Sequence, residues 1–222
     1  MTIIRLMAMA LLAASVGVLA GCGNEVTSPK PLFSTRDARG QAQPRPGVWA
    51  YSSSSKLPTC KVDMSQPLTT WDDCAGGFVV RPGEIFGKVA AGKPLALDYR
   101  FVLARGAPAV FQVLVVGDKD LAGQYYYTGM RPLKFDKQGR VIELKAWQAM
   151  CGPTPPDDPA QHPSKLTDRM IRGLTPDARK QNCVAASAAP VRVSVKDSDA
   201  WVANSGGAVN EMYVQWVRDG EK

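Results

Sequence analysis

The side chains in this 222-residue sequence whose types and spacing could do chemistry are five cysteines, a single histidine and a run of three tyrosines. Cys60, Cys74, Cys151 and Cys183 are an even set without CxxC spacing, and one histidine cannot complete a zinc site beside them, so they read as disulfide partners rather than metal ligands. On the chain-entropy account a Cys60–Cys74 bridge would contribute about 3 kcal/mol and a Cys151–Cys183 bridge a little under 4 kcal/mol. The two other pairings stay open. His162 lies in a proline-rich stretch beside Asp157 and Asp158, which reads as a loop. No metal, no cofactor and no catalytic residue is expected.

Nucleophile motifs fall short in the same way. Ala203-Asn204-Ser205-Gly206-Gly207 follows His162, against the chain order of a Ser-Asp-His hydrolase, and Ser53-Ser54-Ser55-Lys56 lacks the downstream Ser-Asp-Asn and Lys-Thr-Gly partners that an acyl-serine enzyme uses. Gly83-Glu84-Ile85-Phe86-Gly87-Lys88 is one residue short of a phosphate loop and ends on Val89, where a magnesium-binding hydroxyl is needed. The adjacent pairs Asp72-Asp73 and Asp157-Asp158 cannot converge from one strand face. The aromatic run Tyr125-Tyr126-Tyr127 is more informative. Together with Trp147, Tyr125 and Tyr127 could form a stacking platform for a sugar or peptide; Tyr126 would face the other way, and core packing with one wet hydroxyl is the preferred reading of the run.

A different chemistry is written at the front of the chain. Arg5, an apolar stretch over residues 6–20 and small residues before a cysteine have the order of an export signal. As a helix that stretch would span only about 22 Å, short of the ~30 Å hydrocarbon core of a bilayer. Leu19-Ala20-Gly21-Cys22 resembles the lipobox of bacterial lipoproteins. The resemblance implies cleavage after Gly21 and a diacylglyceryl thioether, with an acylated amine, on Cys22; several acyl chains then hold where one would bind reversibly. Gly23, rather than Asp, follows the cysteine, which in the Gram-negative sorting rule implies the periplasmic face of the outer membrane. Setting Cys22 aside leaves the four cysteines to pair in an oxidising compartment.

The elements that must carry these residues follow from composition and periodicity. Residues 22–46, rich in Gly, Ser, Pro and isolated charges, read as a lipidated N-terminus and flexible tether, with Leu32 and Phe33 its only apolar pair. Residues 47–222 read as one domain, and the 20 Gly and 17 Pro favour strands and turns over long helices. Leu95, Leu97, Tyr99, Phe101 and Leu103 alternate as a half-buried strand, and residues 110–116 continue from it as a hairpin. Residues 133–135 and 141–147 form a second hairpin around Asp136-Lys137-Gln138-Gly139. Met212, Val214 and Trp216 make a last strand that closes the sheet. Short helices are expected from Ser164, with Leu166, Met170 and Ile171 on one face, and from Thr175-Pro176-Asp177; residues 191–202 fit strand and helix, with the balance to helix after Pro190. The fold class is therefore α+β, mainly antiparallel sheet with one to three short helices and two disulfides.

The net charge is +7, but Lys and Arg are scattered without a run of four, and an exported chain is not a nucleic-acid binder. The motifs Arg45-Pro46-Gly47-Val48-Trp49 and Trp71-Asp72-Asp73-Cys74 give the body a resemblance to uncharacterised lipoproteins of Gram-negative bacteria, which transfers no activity. The expected function is a membrane-anchored binding or structural component of the envelope. It is held by membrane lipid through Cys22 and has an envelope protein or glycan as partner. A periplasmic hydrolase of envelope glycan or peptide is the alternative.

Overall fold

Alternating apolar residues need a face to bury, and a sheet that curls until its edges meet buries one face entirely inside itself. The computed structural model describes residues 24–51, 63, 65–71, 76–87, 93–118, 121–153, 169–204 and 211–220. Eight of its strands do this: β2 (Gly47–Tyr51), β3 (Gly77–Arg81), β4 (Glu84–Gly87), β5 (Ala96–Ala104), β6 (Ala109–Val115), β7 (Tyr125–Phe135), β8 (Val141–Gln148) and β11 (Glu211–Arg218). Each is antiparallel to the next, β6 pairs with β7, and β11 returns to β2, so the ring has no open edge. Three short strands extend it at the start of β7: β1 (Val26–Ser28) pairs with β7 and, in parallel, with β10 (Cys183–Ala185), which carries β9 (Leu174–Pro176) on its far side. One helix, α1 (Ala188–Asn204), completes a mostly antiparallel α+β fold.

The two predicted hairpins are present as β5–β6 and β7–β8, and the final strand closes the barrel. In the β7–β8 turn, Asp136 Oδ1 accepts from the N–H groups of Gln138 and Arg140, both at 2.9 Å, and Gly139 takes φ +76°, a conformation that a Cβ would strain. The ambiguous stretch after Pro190 is helical. Val191 and Val195 are fully buried one turn apart, and the polar groups that accompany them are answered: Ser194 Oγ donates to the Met150 carbonyl at 2.7 Å, and Ser198 Oγ accepts from the Met150 N–H at 2.9 Å.

Two sequence expectations are corrected. Residues 24–46 are not a tether: Asn24, Glu25, Val26, Thr27 and Ser28 are all buried, Phe33 is 3% exposed, and the Pro44 segment bridges to Val141 before entering β2. What ties this polar stretch down is Gln112 on β6. Its Oε1 accepts from the N–H groups of Leu32 and Phe33 at 2.7 and 2.9 Å, and its Nε2 donates to the Phe33 carbonyl at 2.9 Å. Thr175-Pro176-Asp177 does not start a helix either. Leu174–Pro176 is β9 at the sheet's outer edge, where proline's missing N–H costs no ladder bond. Of the other expected helix, residues 164–168 lie outside the described residues, and Met170 and Ile171 pack, without helical backbone, against the core.

Three apolar clusters hold the layers together. Trp49, Val80, Leu103, Ala109, Met130, Leu144, Ala146 and Val214 come from seven different barrel strands and fill its inside. Ala104, Val110, Tyr127 and Trp147 on the outer wall meet Val191 and Val195 of α1, Val26 and the Cys151–Cys183 disulfide. On the opposite outer wall Val48, Ala50 and Val79 are capped by Leu68 and Trp71. Each large side chain so buried contributes about 1.5–3 kcal/mol.

Candidate functional site: the long-loop end of the barrel

Strand period sets which residues reach the lumen. Phe101 and Leu103 on β5 stand opposite Val113 and Phe111 on β6, Val113 and Phe111 stand opposite Tyr126 and Thr128 on β7, and Thr128 stands opposite Gln148 on β8. The short turns β3–β4, β5–β6 and β7–β8 lie at one end, and the connections 52–76, 88–95 and 116–124 leave from the other. At the short-turn end the lumen is packed: Trp49, Leu103 and Met130 are each 1% exposed. Toward the long-loop end Phe78, Tyr99, Phe101, Phe111, Tyr126, Gln148 and Met212 face inward and are half-buried among the described residues. Phe101 and Phe111 stack with ring centroids 4.6 Å apart, making an aromatic floor.

Above this floor stands a polar rim. Glu25, carried over the β7–β8 junction by the approach to β1, is 4% exposed, and burial pushes its carboxyl up to about 7 against a hydrogen bond from Gln148 that favours the charge. Tyr126 is pushed up to about 12, first by burial and then by the negative charges of Glu25, Asp118 and Asp177. Burial and the neighbouring Asp98 raise Tyr99 as well, with smaller contributions from Tyr51, Asp118 and Tyr126, so these acids and phenols share one electrostatic neighbourhood. Asp98 is itself raised by burial. Its carboxyl fits against the wall only because residues 87 and 117 are glycine: a Cβ would come 1.7 and 2.8 Å from its oxygens.

Of the two readings of Tyr125, Tyr127 and Trp147, core packing is the one the burial supports, and the ligand platform is corrected. Tyr127 (1% exposed) and Trp147 (0%) are on the outer wall beneath α1, where Tyr127 Oη shares a 2.5 Å hydrogen bond with Ser28 Oγ and Trp147 Nε1 donates to the Val195 carbonyl at 2.8 Å. Trp147 lies flat over Gly129, where any Cβ would come within 2.3 Å of the indole. Tyr125 is half-buried against the same cluster, and the tyrosine of the run that points inward is Tyr126. Cys151 and Cys183 are bonded, with Cα atoms 5.8 Å apart. Cys22, Cys60, Cys74, His162, Asp72, Asp73, Asp157, Asp158 and the serines at 53–55 lie outside the described residues. Glu25 and Gln148 carried no sequence signal, because what makes them a pair is the docking of β1; Tyr126 did, through the alternation of its strand.

Chemically the arrangement sets a stacked aromatic pair beneath an acid and phenol rim, groups suited to an apolar body with a hydrogen-bond donor at one end. Among the described residues there is no cluster of three metal-ligating side chains, and no helix is long and apolar enough to cross a membrane. Comparison of the chain with protein-family models, with curated proteins and with solved structures returns no match.

Proposed function

We propose that this chain is a lipid-anchored envelope protein whose barrel binds one small amphiphilic molecule. Leu19-Ala20-Gly21-Cys22 supplies the anchor in this reading, with the acylated Cys22 inserted in the periplasmic leaflet of the outer membrane. The observation that carries the binding function is the row of inward-facing but half-buried side chains, Phe101, Phe111, Tyr126 and Met212, below the buried Glu25 and the half-buried Gln148. An eight-stranded barrel is just wide enough either to be filled by its own side chains or to hold one small ligand, and the half-buried lining at the long-loop end favours the second. An oxidising compartment also suits the Cys151–Cys183 bond, and in this reading Cys60 and Cys74 form a second one, so that thiol counting on the denatured mature chain finds no free sulfhydryl.

The test is binding of an apolar fluorophore such as N-phenylnaphthylamine to the purified full chain. One saturable site is expected, lost in Val113→Phe, which grows the side chain into the long-loop half while circular dichroism and the thermal midpoint report an intact fold. Absence of binding by the wild type, or equal binding by the filled variant, overturns the reading.

A further inference from the structure

The fold leaves almost no chain between the anchor residue and the packed domain. Asn24 is buried and pinned from several directions: its N–H donates to the Gln181 carbonyl at 2.5 Å, its side-chain amide donates to the Gly152 carbonyl at 3.0 Å, and its carbonyl accepts from the Cys151 N–H at 2.7 Å. Gly23 alone separates it from Cys22. At 3.3–3.6 Å per extended residue, the Cα of Cys22 stays within about 7 Å of the Cα of Asn24. The part of the surface where Asn24 sits therefore cannot leave the headgroup layer of any membrane that holds Cys22.

That surface is basic. Gln181 belongs to the turn between β9 and β10, whose Arg179 and Lys180 are exposed. Arg172 is exposed beside Ile171, whose N–H donates to the Cys151 carbonyl at 2.8 Å. The acid of the turn, Asp177, accepts from the Gln181 N–H at 2.9 Å, so the exposed Arg179 and Lys180 outnumber it there. All three cations stand on the segments that clamp Asn24. The same place marks an end of the barrel: Asn24 pairs with Cys151, just beyond Gln148 at the long-loop end of β8.

We infer that the face formed by Arg172, Arg179 and Lys180 docks on anionic lipid headgroups. The barrel then lies on the bilayer with its long-loop end toward the lipid, instead of hanging from it at the end of a tether. This rests on the reading of Cys22 as acylated, and the occupant of the face is the headgroup layer of that same membrane.

The experiment uses the full acylated chain reconstituted into vesicles of phosphatidylglycerol and phosphatidylethanolamine carrying a spin-labelled lipid. A fluorophore is attached in turn to Ala178→Cys in the β9–β10 turn and to Gln138→Cys at the opposite end of the barrel. Several-fold stronger quenching is expected at 178 than at 138. The difference should disappear when Arg172, Arg179 and Lys180 are all changed to Glu, in about 1 M salt, where the Debye length falls to ~3 Å, or when a Gly-Ser segment is inserted between Gly23 and Asn24. Equal quenching at the two positions, or a difference indifferent to charge reversal and to salt, overturns the inference. The mass of the intact chain separates the two failures. An unmodified Cys22 overturns the anchor together with the docking, whereas an acylated chain with equal quenching overturns the docking alone.

Discussion

The two ends of the barrel are built from the same strands and filled on different terms. At the short-turn end Trp49, Leu103 and Met130 meet across the lumen, and the segment before β2 crosses beneath them through Pro44 and Val141. At the long-loop end the same inward positions carry Phe101, Phe111, Tyr126 and Gln148, half-buried, beneath a carboxyl that burial holds near neutrality. Close packing supplies stability, and a group kept in an unfavourable environment draws on it. One end therefore serves as foundation for the other, and substitutions at the two ends should differ in size and even in sign.

The largest effect is expected from Trp49→Ala. It removes a fully buried indole and leaves the Arg45 carbonyl without the 2.8 Å hydrogen bond from Nε1, so denaturant unfolding should show a loss of about 3–5 kcal/mol. A loss below about 1 kcal/mol would mean that the short-turn end is not the foundation.

Next comes Glu25, with the opposite sign. Its carboxyl titrates near 7 in the fold against 4.5 in the unfolded chain, so over that window the folded state holds the extra proton and stability falls as pH rises. At 1.36 kcal/mol per unit the fall reaches about 3 kcal/mol and levels off above neutrality. Glu25→Gln should flatten that stretch of the stability curve and be the more stable protein at pH 8. A wild-type curve that is flat or rising between pH 5 and 7.5 would remove Glu25 from its buried site.

The smallest effect is expected at the lining. Phe111→Leu should cost under about 1.5 kcal/mol, because the ring is half-buried and leucine keeps most of its apolar contact, while fluorophore binding should weaken by a larger factor than stability does. A cost comparable to that of Trp49→Ala would show both ends to be packed alike.

How much of this was legible in the chain depended on how far away each partner lies. The β5–β6 and β7–β8 hairpins could be read because each strand meets its neighbour across a short turn whose residues specify it, Asp136 and Gly139 above all. The final strand was readable from the spacing of Val214 and Trp216, whereas the spacing of Val191, Val193 and Val195 fitted strand and helix alike and only the preceding Pro190 tipped the balance to α1. The strands β1, β9 and β10 were not. Three residues carry no measurable period, and Val26 becomes a strand residue only because Cys183 and Ala149 come to it from the far end of the sequence. The tyrosine run illustrates both cases. Its alternation told that Tyr126 faces away from Tyr125 and Tyr127, but which side is lumen and which is covered by a helix depends on closure of the ring and on α1. The rim was hidden for the same reason, since Glu25 and Gln148 meet only after β1 has docked.

The placement of β1 also dictates an order of assembly. A chain made from its N-terminus exposes Val26 first, yet that strand needs Tyr126 on one side and Cys183 on the other, and the ring cannot shut until Val214 reaches Tyr51. Until nearly all of the polypeptide has emerged, the earliest residues wait without partners, and the growing sheet keeps two raw edges open to other chains. The opening strand is thus a latch that waits for β10, the ring itself shuts on β11, and a chain truncated within β11 leaves that ring unsealed.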